Sequence, residues 1–372
     1  MHIYLKGDKM SDFDYYAYIG TYTSGGVITP KFQSKGIYIL GYNSSNGVFS
    51  QLGTAFEKDN PSFVSISPDG RNLYSVGEID DKRGGALSAY SINKDDGSLS
   101  IINTISSGSN GPCHLTTDKD GKLLLAANYA GGASTIASIN EDGSLDEDVQ
   151  VIQHEGSSIN PDRQMEPHAH SINVTPNNKF ALVPDLGTDK IMIYKINHKN
   201  GKLEINDPSF AKVEPGMGPR HLEFHPNGKV VYVINEIGAT ITSFDFDEEV
   251  GVLDSIETIS TLPDGISHKS CADIHITSDG NFLYGSNRGH DSLAIFKVLD
   301  NGRKLEKVGH ESTLGKTPRN FSIDPLGNFI HAANQDSGDI FTFAINKNNG
   351  TLEYTGGKID VPYPVCIKFL KR

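Results

Sequence analysis

Cysteine is scarce in this sequence: Cys113, Cys271 and Cys366 are the only three in 372 residues. Three scattered thiols argue against a disulfide framework and fit a reducing cytosol. Positive charge is also in deficit, with 33 Lys and Arg against 46 Asp and Glu and a net charge of −13. That balance argues against nucleic-acid binding, which phosphate attraction to Lys and Arg dominates. It leaves room for an anionic small molecule, because one local cationic pocket can outvote the global field. No run approaches the ~20 apolar residues of a membrane span. Met1–Met10 lacks the apolar core of a secretory signal. Helix-period segments long enough for an α/β domain are missing too, and so is any linker. The expectation is a soluble cytoplasmic protein, a monomer or weak homodimer, with no membrane or nucleic-acid partner. Residues 1–14 are expected to be a poorly ordered extension, and Met10 is as good a natural start as Met1.

Glycine, by contrast, is plentiful, with 39 residues at regular intervals. One series of turns, combining Pro, Asp or Asn, and Gly, falls at 67–70, 118–121, 175–178, 225–228, 277–280 and 324–327. Alternating apolar runs flank each one, as in Phe63–Ser67 and Asn72–Val76. Pro presets φ and Gly or Asn accepts a positive φ, so these are tight turns between short strands. They recur about every 50 residues, the period of a repeat architecture. A second series interleaves with the first at 46–47, 96–97, 142–143, 200–201, 250–251, 301–302 and 349–350. Six of these are Asx–Gly pairs, the strongest short hairpin signal.

The second series has seven members and the first only six. Pro362–Leu370 reads as a first strand that never reaches its turn, and Tyr15–Tyr22 as a second strand lacking its first. Joined, they complete a seventh unit, which makes sense only in a closed ring. The sequence therefore predicts an all-β, seven-bladed β-propeller of four-stranded blades over residues 15–372. Two stacked β-sandwiches would not explain the split repeat.

In a propeller the start of each first strand and the end of each second strand share one face. The ends supply Glu78, Tyr129, Asp185, Glu236, Arg288, His290, Asp291, Asn334 and Gln335. The starts supply Cys113, His114, His168, His170, Arg220, His221, Asp273 and Arg319. Three arginines with several histidines and carboxylates converge from distant sequence, as a site for a polar anion requires. Polar loop residues are also expected without any function. His168 and His170 would project to one side of a strand as a metal pair does, but no third ligand is evident, and no metal or cofactor is expected. Ser171 lacks a nucleophile elbow, Gly131–Gly132 lacks the context of a phosphate loop, and the Asx–Gly turns lack the distal Glu of a calcium loop.

The ordered set of motifs at 167–171, 218–221 with 225–228, 235–236, 272–276, 286–291, 318–321 and 333–336 resembles the seven-bladed propeller lactonases over nearly the whole chain. That family includes bacterial 6-phosphogluconolactonase and fungal carboxy-cis,cis-muconate cyclase. The resemblance implies His170, Arg220, Glu236 and Arg288 as the catalytic set, with His168 or His170 as the acting histidine. It implies hydrolysis of a sugar lactone, 6-phosphoglucono-1,5-lactone first among them, in the pentose phosphate pathway. His170 or Glu236 would activate water, arginines would hold the oxyanion, and Arg319 is a candidate for the phosphate. His168, His221, Asp273, His290, Asp291, Asn334 and Gln335 are the further candidates for binding substrate. A carboxymuconate cycloisomerase, or a scaffold without catalysis, would be the alternative use of the same ring.

Overall fold

The computed structural model describes residues 13–24, 32–80, 84–266 and 270–372. Its 28 strands form seven antiparallel sheets of four, each sheet one blade. Six blades are continuous in sequence. Blade 1 starts at Val64–Ile66, blade 2 at Pro112–Thr117, blade 3 at Asn173–Val174, blade 4 at Pro219–Phe224, blade 5 at Cys271–Ile276 and blade 6 at Pro318–Ile323. Blade 7 is the split one: Pro364–Lys371 pairs antiparallel with Tyr15–Thr21, placing Tyr16 opposite Leu370 and Ile19 opposite Ile367. The expected closure is therefore the observed one. Phe13 stacks edge-on against Tyr16 at 5.5 Å, and Asp14 accepts a hydrogen bond from the Ser44 amide, so both already pack on blade 7. The rest of the expected N-terminal extension lies outside the described residues.

Burial follows position in the blade. The second strands Leu123–Asn128, Phe180–Asp185, Val230–Asn235 and Phe282–Asn287 are buried at every residue. Each is covered on both faces by the adjoining blades, so its apolar residues run on without alternation. The fourth strands lie at the rim and stay largely exposed, as Lys202–Lys212 does. Between blades the cores are shared. Tyr232, Ile234 and Ile241 of blade 4 pack with Leu283, Ala294 and Phe296 of blade 5. Ala17, Ile19 and Leu40 of blade 7 pack with Ala333 and Ile340 of blade 6.

A repeated polar tie accompanies this packing. Tyr18, Tyr74, Tyr232 and Tyr284, all on second strands, donate hydroxyl hydrogen bonds to the carbonyls of Gly97, Gly143, Gly302 and Gly350 in the next blade's outer hairpin. The Gly350 hairpin sits so close that a Cβ there would meet the Phe282 ring at 2.3 Å, at a φ of +76° that side chains rarely adopt. Removing the buried Tyr284 hydroxyl by Tyr284→Phe is expected to destabilise the fold by about 1–2 kcal/mol, the cost of stranding its partner. Urea denaturation at equilibrium measures this, and an unchanged midpoint would contradict it.

Candidate active site

The starts of several first strands share a local distortion. In blades 2, 4 and 6 the register slips between Pro112 and His114, between Pro219 and His221, and between Pro318 and Asn320. The extra residues are Cys113, Arg220 and Arg319. Proline has no amide to give the ladder, so it fits the first position of a strand, and the bulge after it re-aims the next side chain. A Pro-X pair at the start of a first strand thus turns X toward the mouth of the channel. The ends of the second strands are anchored by backbone: Glu236 N donates to Gly218 O at 2.7 Å, and Arg288 N to Ser270 O at 2.8 Å.

These devices build a cavity of about 430 Å³ on one face of the ring. All seven blades contribute to its lining, through Glu78, Cys113, Tyr129, His170, Glu236, Arg288, Arg319 and Tyr22, together with Arg163. Its centre is Glu236, 4% exposed. Glu236 Oε1 accepts from Arg163 Nη2 at 2.7 Å, while Oε2 lies 3.0 Å from Arg220 Nε and 2.8 Å from Arg288 Nη2. Burial alone would raise this carboxyl, but Arg288, Arg220 and Arg163 outweigh it and hold the group ionised, well below the usual range. Three guanidiniums against one carboxylate leave this end cationic within a chain of net charge −13. Arg288 keeps a buried Nε–H without an acceptor.

His170 Nε2 lies 3.9 Å from Glu236 Oε2, close enough for one water to hydrogen-bond both atoms. Burial, then Arg220, His221 and Arg319, push the imidazole well below its ordinary value, so it is neutral at physiological pH. Tyr129 packs edge-on to His170 at 5.2 Å and accepts from Arg163 Nη2 at 3.0 Å. Burial raises the Tyr129 hydroxyl, which stays a proton donor. Across the cavity Arg319 lies over the Tyr22 ring and donates to its hydroxyl at 2.9 Å, and Tyr22 in turn donates to Glu78.

The residues expected from sequence therefore divide. His170, Glu236, Arg288 and Arg319 line the cavity. Arg220 is only 2% exposed and sits behind Glu236, tied also to Ala272 O, with burial, Arg319 and Arg288 lowering it to about 10. His168 stacks flat on Tyr129 at 4.6 Å and is hydrogen-bonded to the Tyr129 carbonyl, so it supports that ring from behind.

His221 and Asp273 lie deeper. His221 Nδ1 meets Asp273 Oδ1 at 2.7 Å, and Asp273 Oδ2 meets His275 Nε2 at 3.1 Å, forming a charged column in the channel. Burial opposes the charge on His275, but Asp273 lifts it to about 10, so the pair stands as imidazolium and carboxylate. Expected as substrate contacts, His221 and Asp273 instead build the floor.

Four other expectations are corrected: His290, Asp291, Asn334 and Gln335 are not part of the cavity lining among the described residues. His290 hydrogen-bonds Ser292, and Asp291 accepts from the Thr317 amide and pairs with Lys316. Asn334 folds back onto Thr313 O and Asp339, as Asn128 and Asn235 fold back onto Thr135 and Thr242 of their own blades. Gln335 donates to Asp336. A polar side chain at the end of a second strand is as often a staple for its own blade as a ligand contact.

Arg163 was missed. It lies in the connection 154–172, the longest between successive strands, and belongs to no repeat motif. Its signal was that length on the catalytic face. Asp185 holds the connection in place by accepting from the amides of His168, Gly187 and Thr188 and pairing with buried His154 at 2.7 Å.

A seven-bladed ring with an ionised carboxylate, a neutral histidine and clustered guanidiniums at one mouth is the arrangement of a propeller hydrolase. Comparison makes the assignment specific. The family described as Lactonase, 7-bladed beta-propeller matches residues 16–369, and the chain belongs to it. It is 36% identical to a 6-phosphogluconolactonase of Bacillus subtilis, over 96% of this chain and 98% of that one. A protein of the same name from Formosa agariphila is 36% identical over 88% of this chain and 93% of its own. The solved structure of a periplasmic gluconolactonase of Pseudomonas aeruginosa superposes with a TM-score of 0.88 at 30% identity, covering 96% of this chain and 99% of that one. Among the described residues no helix is long and apolar enough to cross a membrane.

Proposed function

We propose that this lactonase hydrolyses a phosphorylated aldonolactone, 6-phosphoglucono-1,5-lactone to 6-phosphogluconate, in the cytoplasm as a step of the pentose phosphate pathway. The observation that carries the reading is the Glu236 cluster, where three arginines share one carboxylate. Relatives named for this activity, at 36% identity over most of the chain, support it.

His170 is the base. Its neutral imidazole accepts a proton from a water that Glu236 orients, and the water oxygen bonds to C1 of the lactone. Glu236 is a poor base, since three guanidiniums stabilise its charged form. Its role is to hold the arginines and fix the water. The oxyanion at C1 forms against the Arg288 guanidinium, which lines the cavity. The bond from C1 to the ring oxygen then breaks, and the departing alkoxide takes its proton from the His170 imidazolium, assisted by the Tyr129 hydroxyl. Glu78 and Asp80 at the other end present acceptors to the sugar hydroxyls.

The phosphate needs a cation that remains open to solvent. Arg163, whose side chain is 42% exposed, meets this need better than Arg319, which is packed on Tyr22. Arg163→Ala is expected to lower kcat/KM for the phosphorylated lactone about 10–100-fold, the worth of one charge-assisted contact, with a smaller fall for glucono-1,5-lactone. Steady-state rates on both lactones test this. Equal falls would remove the phosphate from Arg163, and wild-type inactivity on both would overturn the proposed substrate.

A further inference from the structure

The face opposite the catalytic cavity carries the turns between first and second strands, and three of them share a design. Ser67 Oγ donates to Asp69 Oδ1 at 2.7 Å, Thr175 Oγ1 to Asn177 Oδ1 at 2.7 Å, and Thr277 Oγ1 to Asp279 Oδ1 at 2.6 Å. A hydroxyl at the end of the first strand thus satisfies the Asx of the turn. Blades 2, 4 and 6 depart from the pattern, with Asp118, His225 and Asp324 at the hydroxyl position. Only in blade 2 does a carboxylate there meet a second carboxylate in the turn, Asp120, where blades 4 and 6 have Asn227 and Leu326.

Asp118 is fully buried. Its Oδ1 accepts from the amides of Lys122 and Leu123, but its Oδ2 has no hydrogen-bond partner. The outer hairpin of blade 3 brings His198 to the same place, with Nδ1 3.6 Å from that oxygen. His198 Nε2 lies 2.7 Å from the Asn178 carbonyl. A carbonyl only accepts, so Nε2 carries the hydrogen; with no proton on Nδ1, the lone pair there faces the Asp118 carboxylate. Two acceptors face each other, a destabilising arrangement unless a cation or a proton lies between them. Asp120 completes the group: one ligand atom each from Asp118, Asp120 and His198 all lie within 4.8 Å of one another. An imidazole whose other nitrogen donates to a backbone carbonyl is the usual state of a metal-bound histidine.

We propose that Asp118, Asp120 and His198 bind a divalent transition-metal ion of the zinc or manganese class and tie the inner turn of blade 2 to the outer hairpin of blade 3. The mixed imidazole and carboxylate donors select that class over calcium or magnesium, which favour all-oxygen sites. A surface cavity of about 600 Å³ bordered by Asp120 and His198 gives the ion its way in. The site lies away from the catalytic cavity, so its role is structural.

The test is calorimetric titration of the chelator-stripped, tag-free full chain with Zn²⁺ at neutral pH, beside His198→Ala and Asp120→Asn. Both substitutions fall at exposed positions where folding should survive. The wild type should take up one ion at this site, with affinity at least about tenfold weaker in each variant. Co²⁺ should give visible absorption bands that His198→Ala abolishes. Absence of saturable binding in the wild type would overturn the proposal. Binding of equal strength in wild type and both variants would overturn it too, by placing the ion elsewhere.

Discussion

Glu236→Gln should cut lactone turnover by about 10²–10³-fold, the loss seen when a preorganised electrostatic element is removed. The side chain keeps its shape, but one neutral amide cannot hold Arg163, Arg220 and Arg288 together at 2.7, 3.0 and 2.8 Å. The water loses its orienting acceptor, and the oxyanion loses a fixed Arg288. Glu236→Ala should in addition cost about 3 kcal/mol of stability, at the low end for breaking a buried ion pair, because Arg288 and Arg220 keep backbone acceptors. The pH dependence follows from the sign of the shift. The folded carboxyl lies below its unfolded value, so its stabilisation is complete above the ordinary carboxylate range and fades as acid titrates the folded group. Wild-type stability from this cluster should therefore be flat above about pH 5. Urea midpoints across pH measure the second claim and kcat the first. Near-wild-type turnover in Glu236→Gln would remove the carboxylate from the mechanism.

His170→Ala should cost about 10²–10⁴ in kcat, the range of a positioned general base. A sharper signature lies in the pH profile of the wild-type enzyme. The proposed mechanism needs the neutral imidazole, and burial with Arg220, His221 and Arg319 nearby holds it neutral to well below 6.5. Activity should thus persist undiminished as pH falls through 6.5 and drop only in stronger acid. An inflection in kcat/KM near 6.5 that vanished in His170→Ala would contradict the burial argument while keeping the base. Persistence of wild-type kcat in His170→Ala would remove the base itself. Asp273 bears on this indirectly: the His221 ring stands 5.4 Å from His170 and is anchored by Asp273.

The fold was legible because its repeat is written in turn chemistry. Asx–Gly pairs mark the outer hairpins, Pro and Gly the inner ones, and the unmatched strands at 15–22 and 362–370 announced the closed ring. Glu236 and Arg288 were legible for the same reason, since each is the first residue beyond a second strand whose end is fixed by register. The same reasoning overreached at Asn334 and Asp291. Sequence shows that a polar residue reaches the right face but not whether it turns inward or staples its own blade. Asn235, bonded to Thr242, and Glu236, bonded to three arginines, are neighbours with opposite fates. Arg163 was illegible because its connection follows no period; Asp185 and His154 place it through contacts that sequence spacing does not encode. The tyrosine ties between blades were equally silent, because each depends on the distance from a strand to the adjoining hairpin.

The most direct measurement is a crystal structure with 6-phosphogluconate bound. The account predicts the new carboxylate at the Arg288 guanidinium and beside His170, the sugar hydroxyls toward Glu78 and Asp80, and the phosphate at Arg163. Product bound on the opposite face of the ring, or within the cavity but with its carboxylate away from His170 and Arg288, would contradict it.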